Sequence, residues 1–279
     1  MLSALALFSM SAYFMSCKQD DELGLGDSQN VSSEASVDSY FEDVEDLSST
    51  ALMAEDPTSL GGRIAGSDDR FCDNSTVGFV GNNTAGTITI DFGTGDGCTD
   101  PRGNVRKGKI IITFTGNRFE INNSITTTFD NFSINGVMIE GSRTVKLTSL
   151  SPVIHEITVL DGKITWPDAT SATRDAHHFR KWDSKGTLPR TDDEIVLLAN
   201  GGTASGVNRR GKAYTMQITE EIVFKAVCFS TSKFLPVAGE KLLTVDGKQV
   251  IVNYGQGECD NEISVTINGV TRVVTVERG

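Results

Sequence analysis

The chain has no apolar run of the roughly 20 residues that a bilayer-spanning helix needs, so nothing in it reads as a segment crossing a membrane. It has three histidines, His155, His177 and His178, and any Ser-His-Asp or Cys-His nucleophile system would have to use one of them. No G-x-S-x-G elbow supplies the serine. No C-x-x-C pair offers the closely spaced thiolates usual in zinc sites. Asp91-Phe92-Gly93 stands without the glycine-rich and catalytic-loop motifs that would make it a kinase signature. Basic blocks are missing as well, and with them the positive stripe that meets nucleic-acid phosphates. These absences point to a protein that binds rather than catalyses, with no cofactor and no metal expected.

The formal net charge of −12 is uneven. Between Lys18 and Arg70 there are 14 acids and 3 bases, against 23 acids and 22 bases over residues 71–279. Residues 18–38, rich in Ser, Asp, Glu, Gln and Gly, have the composition of a solvated spacer. Behind them Val37, Tyr40, Phe41, Val44, Leu47, Leu52 and Met53 recur mostly at three- and four-residue intervals. That spacing predicts an amphipathic helix at about 37–55 with its acids on the other face, stopped by Pro57 and Gly61-Gly62.

Further on the period is two. TITIDF, KGKIIITFTG, AYTMQITEEIVFKA, KQVIVNYG and EISVTINGVTRVVTV are rich in the branched and aromatic residues that suit a pleated surface. Asn135-Gly136, Asp161-Gly162, Asp246-Gly247 and Asn268-Gly269 are hairpin signals, because both turn residues must take positive φ. The expected fold is all-β: an antiparallel meander of hairpins forming a large twisted sheet, half-barrel or sandwich, with one N-terminal amphipathic helix. The expected division is 1–16, an export signal; 17–62, an acidic tether carrying the helix; and 63–279, the β domain.

Apart from Cys17 there are four cysteines, and an even number in an exported chain points to disulfides. Cys72 with Cys98 and Cys228 with Cys259 is the favoured pairing, each bracketing a block that ends at one of two similar turns, DFGTGDGC and NYGQGEC. A zinc site is the alternative.

Candidate sites are few. RDAHHFRKW, residues 174–182, interleaves bases with aromatics and follows Trp166; with the basic tip Asn208-Arg209-Arg210-Gly211 it suggests a surface that stacks on sugars or holds anions. The candidate ligand-binding residues are therefore Trp166, Arg174, His177, His178, Arg180, Trp182, Arg209 and Arg210. The plainer reading is a hairpin with Phe179 and Trp182 in the core and Arg174, Arg180 and Lys181 in water. Asp192-Asp193-Glu194 is the acid cluster a glycoside hydrolase would need, in the setting of a polar turn. Asp91, Asp96 and Asp100 could gather oxygens for calcium, although acids among glycines are ordinary turn chemistry.

The N-terminal run MLSALALFSMSAYFMS is uncharged and too short to span a bilayer. Phe14, Met15, Ser16 and Cys17 resemble a bacterial lipoprotein signal, with Cys17 at the lipid-accepting position. Lys18-Gln19-Asp20-Asp21-Glu22 resembles the lysine-plus-acids signal that sends Bacteroidetes lipoproteins to the outer face of the outer membrane. The phrases DFGTGDGC, RKGKIIITFTG, TTTFDNFSINGVMIEGSRTV, GTASGVNRRGKAYT and NYGQGECDNEISVTINGV resemble the bodies of surface lipoproteins of that group. The resemblance implies a compartment, a lipid anchor in the outer membrane and an all-β body, and no reaction. The expected partners are thus the membrane, through the anchor, and a glycan, host protein or apolar ligand. Adhesion or glycan capture comes first, a LolA-like half-barrel carrying a lipid second, and a hydrolase last.

Overall fold

The computed structural model describes residues 25–54, 71–82, 84–101, 103–116, 120–186, 192–229, 233 and 235–276. The export signal, Cys17, Pro57 and Gly61-Gly62 lie outside the described residues. Two kinds of element appear, a long N-terminal helix, α1 (Leu25–Ala54), and strands.

The strands in chain order are β1 (Thr76–Asn82), β2 (Ala85–Asp91), β3 (Cys98–Thr99), β4 (Val105–Thr115) and β5 (Ser124–Ile134). There follow β6 (Val137–Leu150), β7 (Val153–Thr165), β8 (Ser171–Asp183), β9 (Glu194–Leu197) and β10 (Thr203–Val207). After β11 (Ala213–Lys225) and the single turn α2 (Ala226–Phe229) come β12 (Ala238–Val245), β13 (Lys248–Gln256), β14 (Glu262–Ile267) and β15 (Val270–Thr275). Strands that follow one another mostly pair antiparallel, giving a single sheet of 15 strands. Here β3 lies only on β4, while β9 and β10 share one position between β8 and β11.

Hairpin chemistry explains much of this order. Asn135-Gly136, Asp246-Gly247 and Asn268-Gly269 turn with φ near +50° and +80°, the values a two-residue turn with both residues left-handed requires. Asp161-Gly162 does something else. It lies inside β7 as a bulge, where the register to β8 shifts between Val159 and Gly162. The positive φ of Asp161 is held by its amide donating to the Asp175 carboxylate at 2.8 Å. A Cβ on Gly162 would lie 3.0 Å from the Phe41 ring and 2.6 Å from the Arg174 carbonyl, so the bulge lets the helix approach the sheet.

The sheet curls around α1. Side chains of the helix meet strands from β4 to β12, and the buried set Val31, Val37, Phe41, Val44, Leu47 and Ala51 joins the inner-face residues in one core. Across β7, β8 and β10 that inner face is small, with Gly162, Ala172, Ala176, Ala204 and Gly206 making room. Among the described residues β1 and β15 pair only with β2 and β14, so the curl is open and there is no second sheet.

The helix starts at Leu25, about 12 residues earlier than its periodicity suggests. Residues 25–36 have spacer composition, yet Val31, Glu34 and Ala35 are buried against the sheet, and tertiary contact overrides weak local propensity. Tyr40 and Leu52 are half-buried against the core; the Met53 side chain lies outside the described residues.

Two disulfides tie the ends of the sheet: Cys72–Cys98 joins the approach to β1 to β3, and Cys228–Cys259 joins α2 to the turn after β13.

Candidate functional site

Alternation along β8 sorts its residues onto two faces. Ala172, Arg174, Ala176 and His178 point inward and are buried; Thr173, Asp175 and His177 point outward. Arg180 follows Arg174 and His178 onto the inner side. The plainer hairpin reading, with Arg174 and Arg180 in water, is therefore reversed, because the helix over that face is acidic. Residues 25–54 contain seven acids and no base.

Inner-face bases and helix acids form three ion-pair groups. Arg106 on β4 donates to Asp43 at 2.7 Å and to Asp100 at 3.2 Å. Glu45 lies between Arg143 on β6 and Arg180, the latter at 2.9 Å. Glu34 takes Arg174 at 2.9 Å on one oxygen and Lys241 of β12 on the other, and Asp38, one turn on, takes Arg174 at 2.6 Å. The expectation that the helix acids face away from the core is thus corrected.

Titration follows from this geometry. Burial disfavours the ionised form of Glu45, but the charges of Arg143 and Arg180 outweigh it and hold the carboxyl at about 2. Glu34 is held at about 2 in the same way, with Lys241 and Arg174 overcoming burial. Asp38, the second carboxylate of its group, is pushed up to about 7 by burial, with the charge of Glu34 adding to it. His155 is lowered to about 4 by burial and by Arg180. His178 is driven well below the usual imidazole range by burial and by Arg143, Arg174 and Arg180. Both imidazoles are therefore neutral at pH 7, and His178 Nε2 has no hydrogen-bond partner among the described residues.

Trp166 and Arg209 do come together. The Arg209 guanidinium lies 4.4 Å from the Trp166 ring centroid and donates to Asp168 at 2.8 Å and Thr170 at 2.7 Å. Its backbone amide donates to the Ser33 hydroxyl of α1 at 3.2 Å. The pair locks two turns and the helix together, and the buried Trp166 ring is not an open stacking platform. Arg210 is exposed at the same tip, and Trp182 is 38% exposed at the end of β8.

The acid clusters are also engaged. Asp91 accepts from the Gly93 amide and pairs with Lys109 at 3.0 Å, and its carboxyl is lowered by the backbone hydrogen bond first. Asp100 is buried on Arg106, and Asp96 is exposed. Asp193 is buried, and Glu194 pairs with Lys185. No group of three or more His, Cys, Asp or Glu among the described residues is arranged to hold a metal ion.

Of the candidate residues, His177 borders a sizeable depression. This is a trough of about 500 Å³ on the outer face, running over β7, β8, β10, β11 and β12. The register builds it from two rows. One is Thr158, His177, Thr203, Gln217 and Leu242; the other is Asp175, Ser205, Thr215 and Thr244, with Leu160 at its β7 end. The floor is low because the β10 side chains in these two rows are the short Thr203 and Ser205, set between the longer His177 and Gln217. His177 is fixed by Glu156 on Nε2 at 2.9 Å and by the Gly201 carbonyl near Nδ1 at 3.3 Å.

No family model, no curated protein and no solved structure matches the chain. The functional reading therefore rests on this geometry and on the sequence signals. Sequence alone shows that TASGV and AYTMQI put hydroxyls and an amide on one face, but only the strand register shows that they line up across five strands.

Proposed function

We propose that the chain is a lipoprotein displayed at the outer membrane through Cys17, capturing a ligand on the outer face of its sheet without chemical turnover. The observation that carries this reading is the occupied inner face. Where a curled sheet would shelter an apolar guest, α1 supplies both the apolar side chains and the counter-charges. For the chain to be a carrier the helix would have to leave, taking its carboxylates from Arg143, Arg174, Arg180 and Lys241 and leaving Arg106 with Asp100, and its guest would have to be anionic as well as apolar. The outer trough has the size of a small-ligand site. The disulfides fit an exported chain.

Two measurements test the reading. Radiolabelled palmitate should enter the full chain in a bacterial host that processes lipoproteins and should fail to enter Cys17→Ala; label in the variant would refute the anchor. Residues 18–279 applied to arrays of oligosaccharides and extracellular host proteins should bind at least one class saturably, while chromogenic glycosides and esters stay at background. Turnover above background that falls in Asp192→Asn or Glu194→Gln would replace binding with hydrolysis.

A further inference from the structure

We propose that the outer trough over β7 to β12 is a binding site for a linear, uncharged oligosaccharide lying across the strands. This names the ligand class of the site proposed above and rests on that reading.

Thr203, Ser205, Thr215 and Gln217 are exposed on the outer face. Hydroxyls both donate and accept, and an amide offers two donors and an acceptor. Such a surface matches a ligand that is itself a dense array of hydroxyls acting in both senses. No lysine or arginine lines the trough, while the Asp175 carboxylate stands in it and Glu156 holds His177 from behind. An anionic ligand would meet the Asp175 carboxylate with no lysine or arginine beside it to compensate. An apolar guest would meet the aliphatic atoms of Leu160 and Leu242, but it would cover the hydroxyls and the amide without pairing them, which costs free energy for each one.

Backbone recognition of an extended peptide does not fit the place. Strand addition needs a free sheet edge, whereas β8, β10 and β11 are paired on both sides along the trough. What remains is recognition by side chains alone. Leu160, 53% exposed at one end, and Leu242 at the other supply aliphatic surface for the C–H faces of sugar rings. Asp175 already accepts the Asp161 amide on one oxygen and has a second oxygen to accept from a ligand hydroxyl.

Dimensions set the orientation. Neighbouring strands lie about 4.8 Å apart, so five strands span about 19 Å, while the two rows are about 7 Å apart. The trough is therefore long across the sheet and narrow along it. A chain of rings laid across the strands presents successive hydroxyl groups to Thr158, Thr203 and Gln217 in turn. Affinity should accordingly rise with the number of sugar units until the trough is spanned and then level off.

The test is calorimetric titration of residues 18–279 with neutral gluco-, manno- and N-acetylglucosamine oligomers of two to six units, beside sulfated and uronic-acid oligomers of equal length. At least one neutral series is expected to bind, strengthening with length and then levelling off, with the charged oligomers at least tenfold weaker. Ser205→Phe, which fills the floor from an exposed position, should weaken binding roughly tenfold or more. Gln217→Ala, which adds no bulk, should weaken it several-fold. Thr126→Phe, on β5 away from the trough, should leave binding unchanged, and thermal melts should confirm that all three variants fold. Absence of binding by every neutral series, or binding indifferent to Ser205→Phe and Gln217→Ala, overturns the proposal. Stronger binding of charged oligomers that is lost in Ser205→Phe also overturns the ligand class, but leaves capture on the outer face standing.

Discussion

At the scale of single residues the most informative side chain is Glu45, a carboxylate under the sheet held by Arg143 and Arg180. Removing one member of a buried ion-pair group leaves the others uncompensated, typically at about 3–5 kcal/mol. Glu45→Gln should therefore lower the unfolding free energy by about that amount at pH 7 in urea titrations. The deficit has a defined pH dependence. The Glu45 carboxyl is held at about 2, below its ordinary 4.5, so its contribution is complete above about 4.5 and is lost as pH falls through about 2. The gap between wild type and Glu45→Gln should close over that range, and a gap unchanged down to pH 2 would mean that Glu45 is not docked as an anion. The difference curve is the useful quantity, because several other groups, Glu34 and His178 among them, also shape the wild-type profile. His155, lowered to about 4, gives stability that is lost as pH falls from about 6.5 through 4. None of this pairing is legible in the sequence. Period-two alternation puts Arg174 and His178 on one face of β8, but which face is inner depends on a helix some 140 positions away.

Among the elements, α1 and the bulge in β7 depend on each other. The apolar spacing of Val37, Phe41, Val44 and Leu47 predicts a helix, and these residues are buried; the first three turns are missed because their stability comes from the sheet rather than from propensity. Asp161-Gly162 has the local chemistry of a hairpin turn and reads as one, yet the strand passes through it, since the same positive φ serves a bulge. Gly162→Ala places a methyl 2.6 Å from the Arg174 carbonyl and 3.0 Å from Phe41. It should lower the melting temperature and raise hydrogen exchange in α1 more than in β13 and β14, measured by mass spectrometry. Equal change in all three elements would argue against a local seat for the helix. The disulfide pairing is legible in the sequence because both pairs are local, 26 and 31 residues apart.

At the scale of the whole molecule, the described residues form one antiparallel sheet wrapped on an acidic helix, and the proposal of capture on the outer face rests on that shape. The all-β meander is legible because hairpin turns and alternating strands are local signals. Closure is not: runs such as IIITF and QVIVNY suit a filled sandwich and a curled sheet equally, and only the position of α1 distinguishes them. The outer trough is less legible still, being a product of register across five strands. The charge imbalance has a structural role, since Glu34, Asp43 and Glu45 neutralise bases inside the sheet. The central claim is that the inner face is filled by the chain's own helix. Native mass spectrometry of residues 18–279 purified without detergent, repeated after organic extraction, tests it most directly. The account predicts the bare chain mass, four hydrogens short for its two disulfides, before and after extraction; a reproducible, extractable adduct of lipid mass would contradict it.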